Sequence, residues 1–150
     1  MTTPLEVLQG GLAELGRRAK AKEVPDRQLV RALLLALGRL ALTEGESGAR
    51  GRARELREAA EGHGEAWEQA LESELSLAVA EHVHSVDPRY LELPSYDFAY
   101  TIAARERLEQ RLRACELLDW RVPESLLDQV AAADARLAPY LDRGAAQEGD

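Results

Sequence analysis

The chain has 150 residues, 45% of them hydrophobic, 31% charged and 5% aromatic, with a formal net charge of −8. This length carries one ordinary domain with a real core and leaves no room for a second of usual size; with so few aromatics the core must be filled by Leu, Ala and Val, which favours helices over strands. The acidic balance argues against general nucleic-acid binding, because a phosphate backbone meets a repulsive mean field, and the single cysteine, Cys115, allows neither an intrachain disulfide nor a cysteine cluster for zinc.

Residues 4–20, PLEVLQGGLAELGRRAK, read as the first helix. Thr3 is placed to cap it, Pro4 suits the first helical position and Glu6 complements the positive end. Leu5, Leu8, Leu12 and Leu15 make one apolar stripe. Gly10, Gly11 and Gly16 each weaken this helix by about 1 kcal/mol against Ala and leave space for a neighbouring helix. MTTPLEVLQG has no basic stretch followed by an apolar run, so no signal peptide is expected. After Val24-Pro25, Asp26 caps a second helix over 27–43, apolar on most sides and therefore central to a bundle. The longest apolar stretch, LVRALLLALGRLAL (29–42), contains Arg31 and Arg39 and is too short to span a bilayer. A soluble cytoplasmic protein with no membrane partner is the expectation, in keeping with the lone thiol. Lys20 and Lys22 are the only lysines among many arginines, a usage associated with GC-rich bacterial coding sequence.

The composition of TEGESGAR (43–50) predicts a loop. A third helix over 49–62 has only Ala53, Leu56, Ala59 and Ala60 for shallow packing, and carries Arg50, Arg52, Arg54 and Arg57, the densest basic cluster, mixed with Glu55 and Glu58 as a solvated face. Gly62-His63-Gly64 interrupts the chain, with His63 expected in an exposed loop. A fourth helix follows over 65–85, with Trp67, Leu71, Leu75, Ala78, Val79 and His82 on one face, and ends before Pro88. VDPRYLELPS (86–95) reads as an irregular connection. Ser95 is placed to cap a fifth helix over 96–119, whose Phe98, Ile102, Arg105, Leu108, Leu112, Cys115 and Leu118 form a continuous stripe, burying Cys115 as an inert thiol. Pro123 starts a sixth helix, ESLLDQVAAADARLAPYLDR, which Pro139 is placed to kink, and GAAQEGD (144–150) reads as a disordered tail.

Few residues point to chemistry. Tyr90, Tyr96, Phe98 and Tyr100 fall within eleven positions, with Arg89 and Asp97 among them. Aromatics with Arg on an irregular segment are what interface hot spots are made of, so Arg89, Tyr90, Tyr96, Asp97 and Tyr100 are the candidate partner-binding residues. His82 and Arg105 interrupt apolar stripes. A buried guanidinium needs a carboxylate, for which Glu109 and Glu74 are candidates, and the two residues together are a candidate ligand or anion site between the fourth and fifth helices. Glu81 and His84 have the Glu-x-x-His spacing by which ferritin-like bundles set two metal ligands on one helix. With one such pair in the chain, a dimer would supply the second, an arrangement that resembles encapsulated ferritins. That resemblance implies iron or another divalent metal, with a further glutamate from Glu106, Glu109 or Glu116. The competing reading makes His84 a helix-end side chain that complements the negative dipole end.

The expectation is an all-α, single-domain bundle of five to six helices over 1–143, with a core of the second, fourth, fifth and sixth. Its function is expected to be non-enzymatic: a bacterial interaction or regulatory protein with a protein partner, a homodimer being one such arrangement, and no cofactor. A dimeric metal-carboxylate protein using Glu81 and His84 is the alternative.

Overall fold

The computed structural model describes residues 2–148 and is all-α. Seven helices lie among the described residues: α1 (Pro4–Ala21), α2 (Arg27–Glu44), α3 (Glu46–Glu61), α4 (Glu65–Ser85), α5 (Pro88–Leu91), α6 (Ala99–Leu117) and α7 (Glu124–Glu148). The seventh, beyond the five to six expected, is α5, a single turn inside the segment whose composition predicts an irregular connection. Asp87 explains it: its side chain accepts from the Arg89 N–H at 2.9 Å and Pro88 takes the first helical position. No helix among the described residues is long and apolar enough to cross a membrane.

Local chemistry sets most boundaries. Thr3 accepts from the Glu6 N–H at 3.2 Å, and Asp26 accepts from the Leu29 N–H at 2.8 Å. At the far end of α1, Lys22 turns into the left-handed region and donates its N–H to the carbonyls of Ala19 and Arg18. Two boundaries differ from expectation. The loop over 43–50 shrinks to Gly45, whose φ of 84° is one that glycine adopts without penalty, so α3 starts at Glu46. The helix expected from residue 96 starts at Ala99, because Asp97, not Ser95, accepts from its N–H at 2.9 Å. At the C-terminus α7 passes through Pro139 and covers 144–148 of the expected tail, where Gly144 is the only poor helix former among Ala145, Ala146, Gln147 and Glu148. Residues 149–150 lie outside the described residues.

The chain forms two compact units, and the division falls inside α4 and α6. The first holds Met1–Leu75 and Glu109–Val122, the second Ser76–Leu108 and Pro123–Asp150. In the first unit α2 is the most buried helix, with Val30, Leu33, Leu34, Leu37 and Leu40 enclosed. α3 is no shallow cover: Ala49, Ala53, Leu56 and Ala60 are all buried, because alanine faces let helix backbones approach. The closest approach is at Gly38, where a Cβ would sit 2.3 Å from the Gln110 carbonyl oxygen. Of the first helix's glycines, only Gly11 meets a neighbour, the Leu33 side chain; Gly10 and Gly16 face open space. Glu74, buried, accepts from Nε of the equally buried Arg111 at 3.1 Å, and Nε of Arg27 lies 3.7 Å from its other oxygen.

In the second unit, Val86, Leu91, Ala133 and Leu137 form a buried cluster, against which Val83, Tyr96, Phe98 and Tyr140 pack. Tyr96 meets Phe98 edge to face at 5.1 Å between ring centroids, and Phe98 meets Tyr140 at 6.4 Å.

Candidate functional site

The aromatic segment divides in two. Tyr96 points inward: its hydroxyl bonds to the Thr101 hydroxyl and donates to the Ser85 carbonyl at 3.3 Å, which Thr101 also engages at 3.1 Å. Asp97 is spent locally on the α6 cap. Arg89, Tyr90 and Tyr100 reach the surface. The Arg89 guanidinium is clamped on Asp87 at 2.8 Å, and this pairing with the Arg89 N–H holds the Asp87 carboxyl down to about 2. Tyr90 and Tyr100 keep 38% and 49% of their surface. Between them lies a cavity of about 290 Å³ lined by His84, Ser85, Tyr90, Tyr96 and Tyr100.

His84 therefore sits with the tyrosines, its ring edge to face with Tyr90 at 5.3 Å. Its helical neighbour Glu81 faces Arg107 on α6, which donates to it at 2.5 Å. A metal at Glu81 and His84 would have to take the carboxylate from that guanidinium. Among the described residues no group of three or more His, Cys, Asp and Glu side chains is gathered as a metal ion would require.

His82 and Arg105 do meet, on a residue the sequence does not single out. Asp134 of α7 accepts from His82 Nε2 at 2.8 Å and from Arg105 at 2.9 and 3.1 Å, through both of its oxygens. Burial pushes the Asp134 carboxyl up, but the hydrogen bonds from Arg105 and His82 outweigh it and hold the group below its ordinary value. Glu74, offered as the cross-bundle partner of Arg105, serves Arg111 instead. An ionised carboxylate only accepts, so His82 Nε2 carries the proton in this pair; its Nδ1 is buried with no hydrogen-bond partner among the described residues. The ring is fully enclosed. The His82–Asp134–Arg105 group joins α4, α6 and α7, with the imidazole enclosed and the Asp134 and Arg105 side chains partly exposed.

Other sequence candidates are structural. His63 is half-buried, with Nε2 2.9 Å from the Leu15 carbonyl, so the turn before α4 is tied to α1 and is no free loop. In the arginine cluster, Arg50 pairs with Glu46, Arg52 with Glu55 and Arg57 with Asp119. Cys115 is buried, and burial pushes its thiol up to about 12. The first unit also holds a cavity of about 550 Å³ lined by Trp67, Trp120, Leu118 and the Arg57–Asp119 pair, with Glu61, Glu65 and Glu68. The apolar stripe of α4 and the corner after α6 account for the two tryptophans separately; only the fold brings them to one cavity.

Protein-family models, curated proteins and solved structures were compared with this chain, and none matches.

Proposed function

We propose that this is a non-enzymatic bacterial interaction or regulatory protein of the cytoplasm, which presents the surface around Tyr90 and Tyr100 to a protein partner. The observation that carries the reading is where the unburied apolar side chains lie. Of nine large hydrophobics exposed among the described residues, seven belong to the second unit, the smaller of the two. Scattered exposed hydrophobics need no explanation, but a concentration of them marks an interaction surface. Tyr90 and Tyr100, both exposed, line one cavity, and tyrosine contributes large contact area with few torsions to freeze.

Affinity capture from the native host tests this with wild-type protein and the Tyr90→Ala/Tyr100→Ala double variant. Both side chains are exposed, so the fold should survive the change. A specific partner retained by the wild type and lost by the variant is expected; identical capture by both would refute the surface. A homodimer is part of the same reading, given Leu127 and Leu141 exposed on α7, and light scattering over a concentration series reads it directly.

A further inference from the structure

We propose that the cavity lined by His84, Ser85, Tyr90, Tyr96 and Tyr100 is an aromatic cage, and that its occupant is the ammonium group of a lysine side chain on the protein partner. This rests on the reading of that surface as a protein-binding one, and adds what the partner must offer.

Size is the first argument. The cavity measures about 290 Å³. It has room for the end of one side chain. The wall is the second. Four of the five lining residues are aromatic, three phenols and one imidazole, and none is aliphatic. A pocket for a leucine or methionine is ordinarily walled by its own kind. Rings present negative π faces, and a cluster of them is what recognises an ammonium cation. The third is charge. Between residues 84 and 100 the chain sets Asp87, Glu92 and Asp97 against Arg89, and Arg89 is already neutralised on Asp87. This segment is thus net negative, on a chain of formal charge −8, which attracts a cation and repels a carboxylate or phosphate. The fourth is pre-organisation. Tyr96 is fixed by Thr101 and the Ser85 carbonyl, and Tyr90 is held edge to face with His84. The Tyr96 wall stands ready before anything binds, which lowers the ordering cost, and Tyr100 is half exposed.

The test uses the full chain and a glycine-flanked lysine peptide, acetylated and amidated so that the side chain holds its only charge. Its counterpart carries norleucine, which has the same stem without the ammonium. NMR titration follows the tyrosine ring resonances. The lysine peptide should shift those of Tyr90 and Tyr100 saturably, while the norleucine peptide should not at the same concentrations. Tyr100→Leu, which keeps bulk and removes the ring, should weaken lysine binding by about two- to fivefold, the worth of one exposed cation–π contact. Equal binding of both peptides would overturn the cage in favour of a plain apolar pocket. Tighter binding of free choline than of the lysine peptide would overturn a partner's lysine as the occupant. No saturable shift with any of the three would overturn the proposal outright. Capture that still depends on Tyr90 and Tyr100 when the lysine peptide fails would leave the docking surface standing and remove only the cage.

Discussion

Replacing Gly38 with Ala separates helix propensity from packing. Alanine in place of glycine within a helix is worth about 1 kcal/mol by propensity alone. At Gly38 the added Cβ would lie 2.3 Å from the Gln110 carbonyl oxygen, 2.9 Å from its carbon and 3.0 Å from its Cα. All three are backbone atoms of α6, so no rotamer change relieves the clash. An ordinary C···O contact is about 3.3–3.6 Å, so α2 and α6 must part locally by roughly 1 Å, opening gaps among enclosed leucines. Overpacking of this kind typically costs about 1–3 kcal/mol, and the rigidity of the obstacle favours the upper half. Less the propensity gain, Gly38→Ala should destabilise by about 1–2 kcal/mol. Gly10, with nothing within 4 Å of its notional Cβ, is the control: Gly10→Ala should stabilise by about 0.5–1 kcal/mol. At about 2–4 °C per kcal/mol for a chain of this size, the two variants should melt roughly 5–10 °C apart, with wild type between them. Urea unfolding followed by far-ultraviolet circular dichroism gives the free energies. A Gly38→Ala protein as stable as wild type, or more so, would refute the close approach of the helices.

Asp134→Asn should destabilise at neutral pH, and the gap to wild type should close in acid. The folded-state pKa of Asp134 lies below its ordinary value of 3.8, so the stability it contributes is fully present above 3.8 and is lost as pH falls through the lower folded value. Urea midpoints of the two proteins from neutral to strongly acid pH check this, and a gap that stays constant would count against it. Glu74→Leu should destabilise by up to about 3–5 kcal/mol by removing a carboxylate to which buried Arg111 donates, and adding Arg111→Met should recover part of the loss. A double-mutant cycle measures the coupling, and additive costs would disprove the pairing. Cys115, buried with its thiol raised to about 12, should resist a disulfide reagent in the native protein and react stoichiometrically once unfolded. Rapid labelling under native conditions would show that this part of the core opens.

The helices are legible in the sequence because their signals are local. Thr3 and Asp26 cap where side-chain chemistry places them, and the expected span of the fourth helix, 65–85, is the observed one. What fails depends on contacts far along the chain. Composition cannot say that α3 is well buried, since four small apolar residues gain depth only from the surface they meet. Ser95 and Asp97 are both competent caps, and Tyr96 between them decides: its inward phenol reaches Ser85, eleven positions upstream, leaving Asp97 at the helix start. The clustering of tyrosines is visible in the sequence, but which of them are structural is not. The stripe positions of His82 and Arg105 likewise foretell burial, while their shared carboxylate lies 52 and 29 positions away.

Because Glu109–Val122 completes a unit that begins at the N-terminus, and Ser76–Leu108 belongs to one that continues from Pro123, no single cut in the gene releases either unit whole. A ribosome that has made the first 75 residues has not yet made the strip of α6 against which Gly38 rests. At that point α2 lacks the stretch of α6 backbone that lies against Gly38, so the first unit is completed only after most of the second has been made.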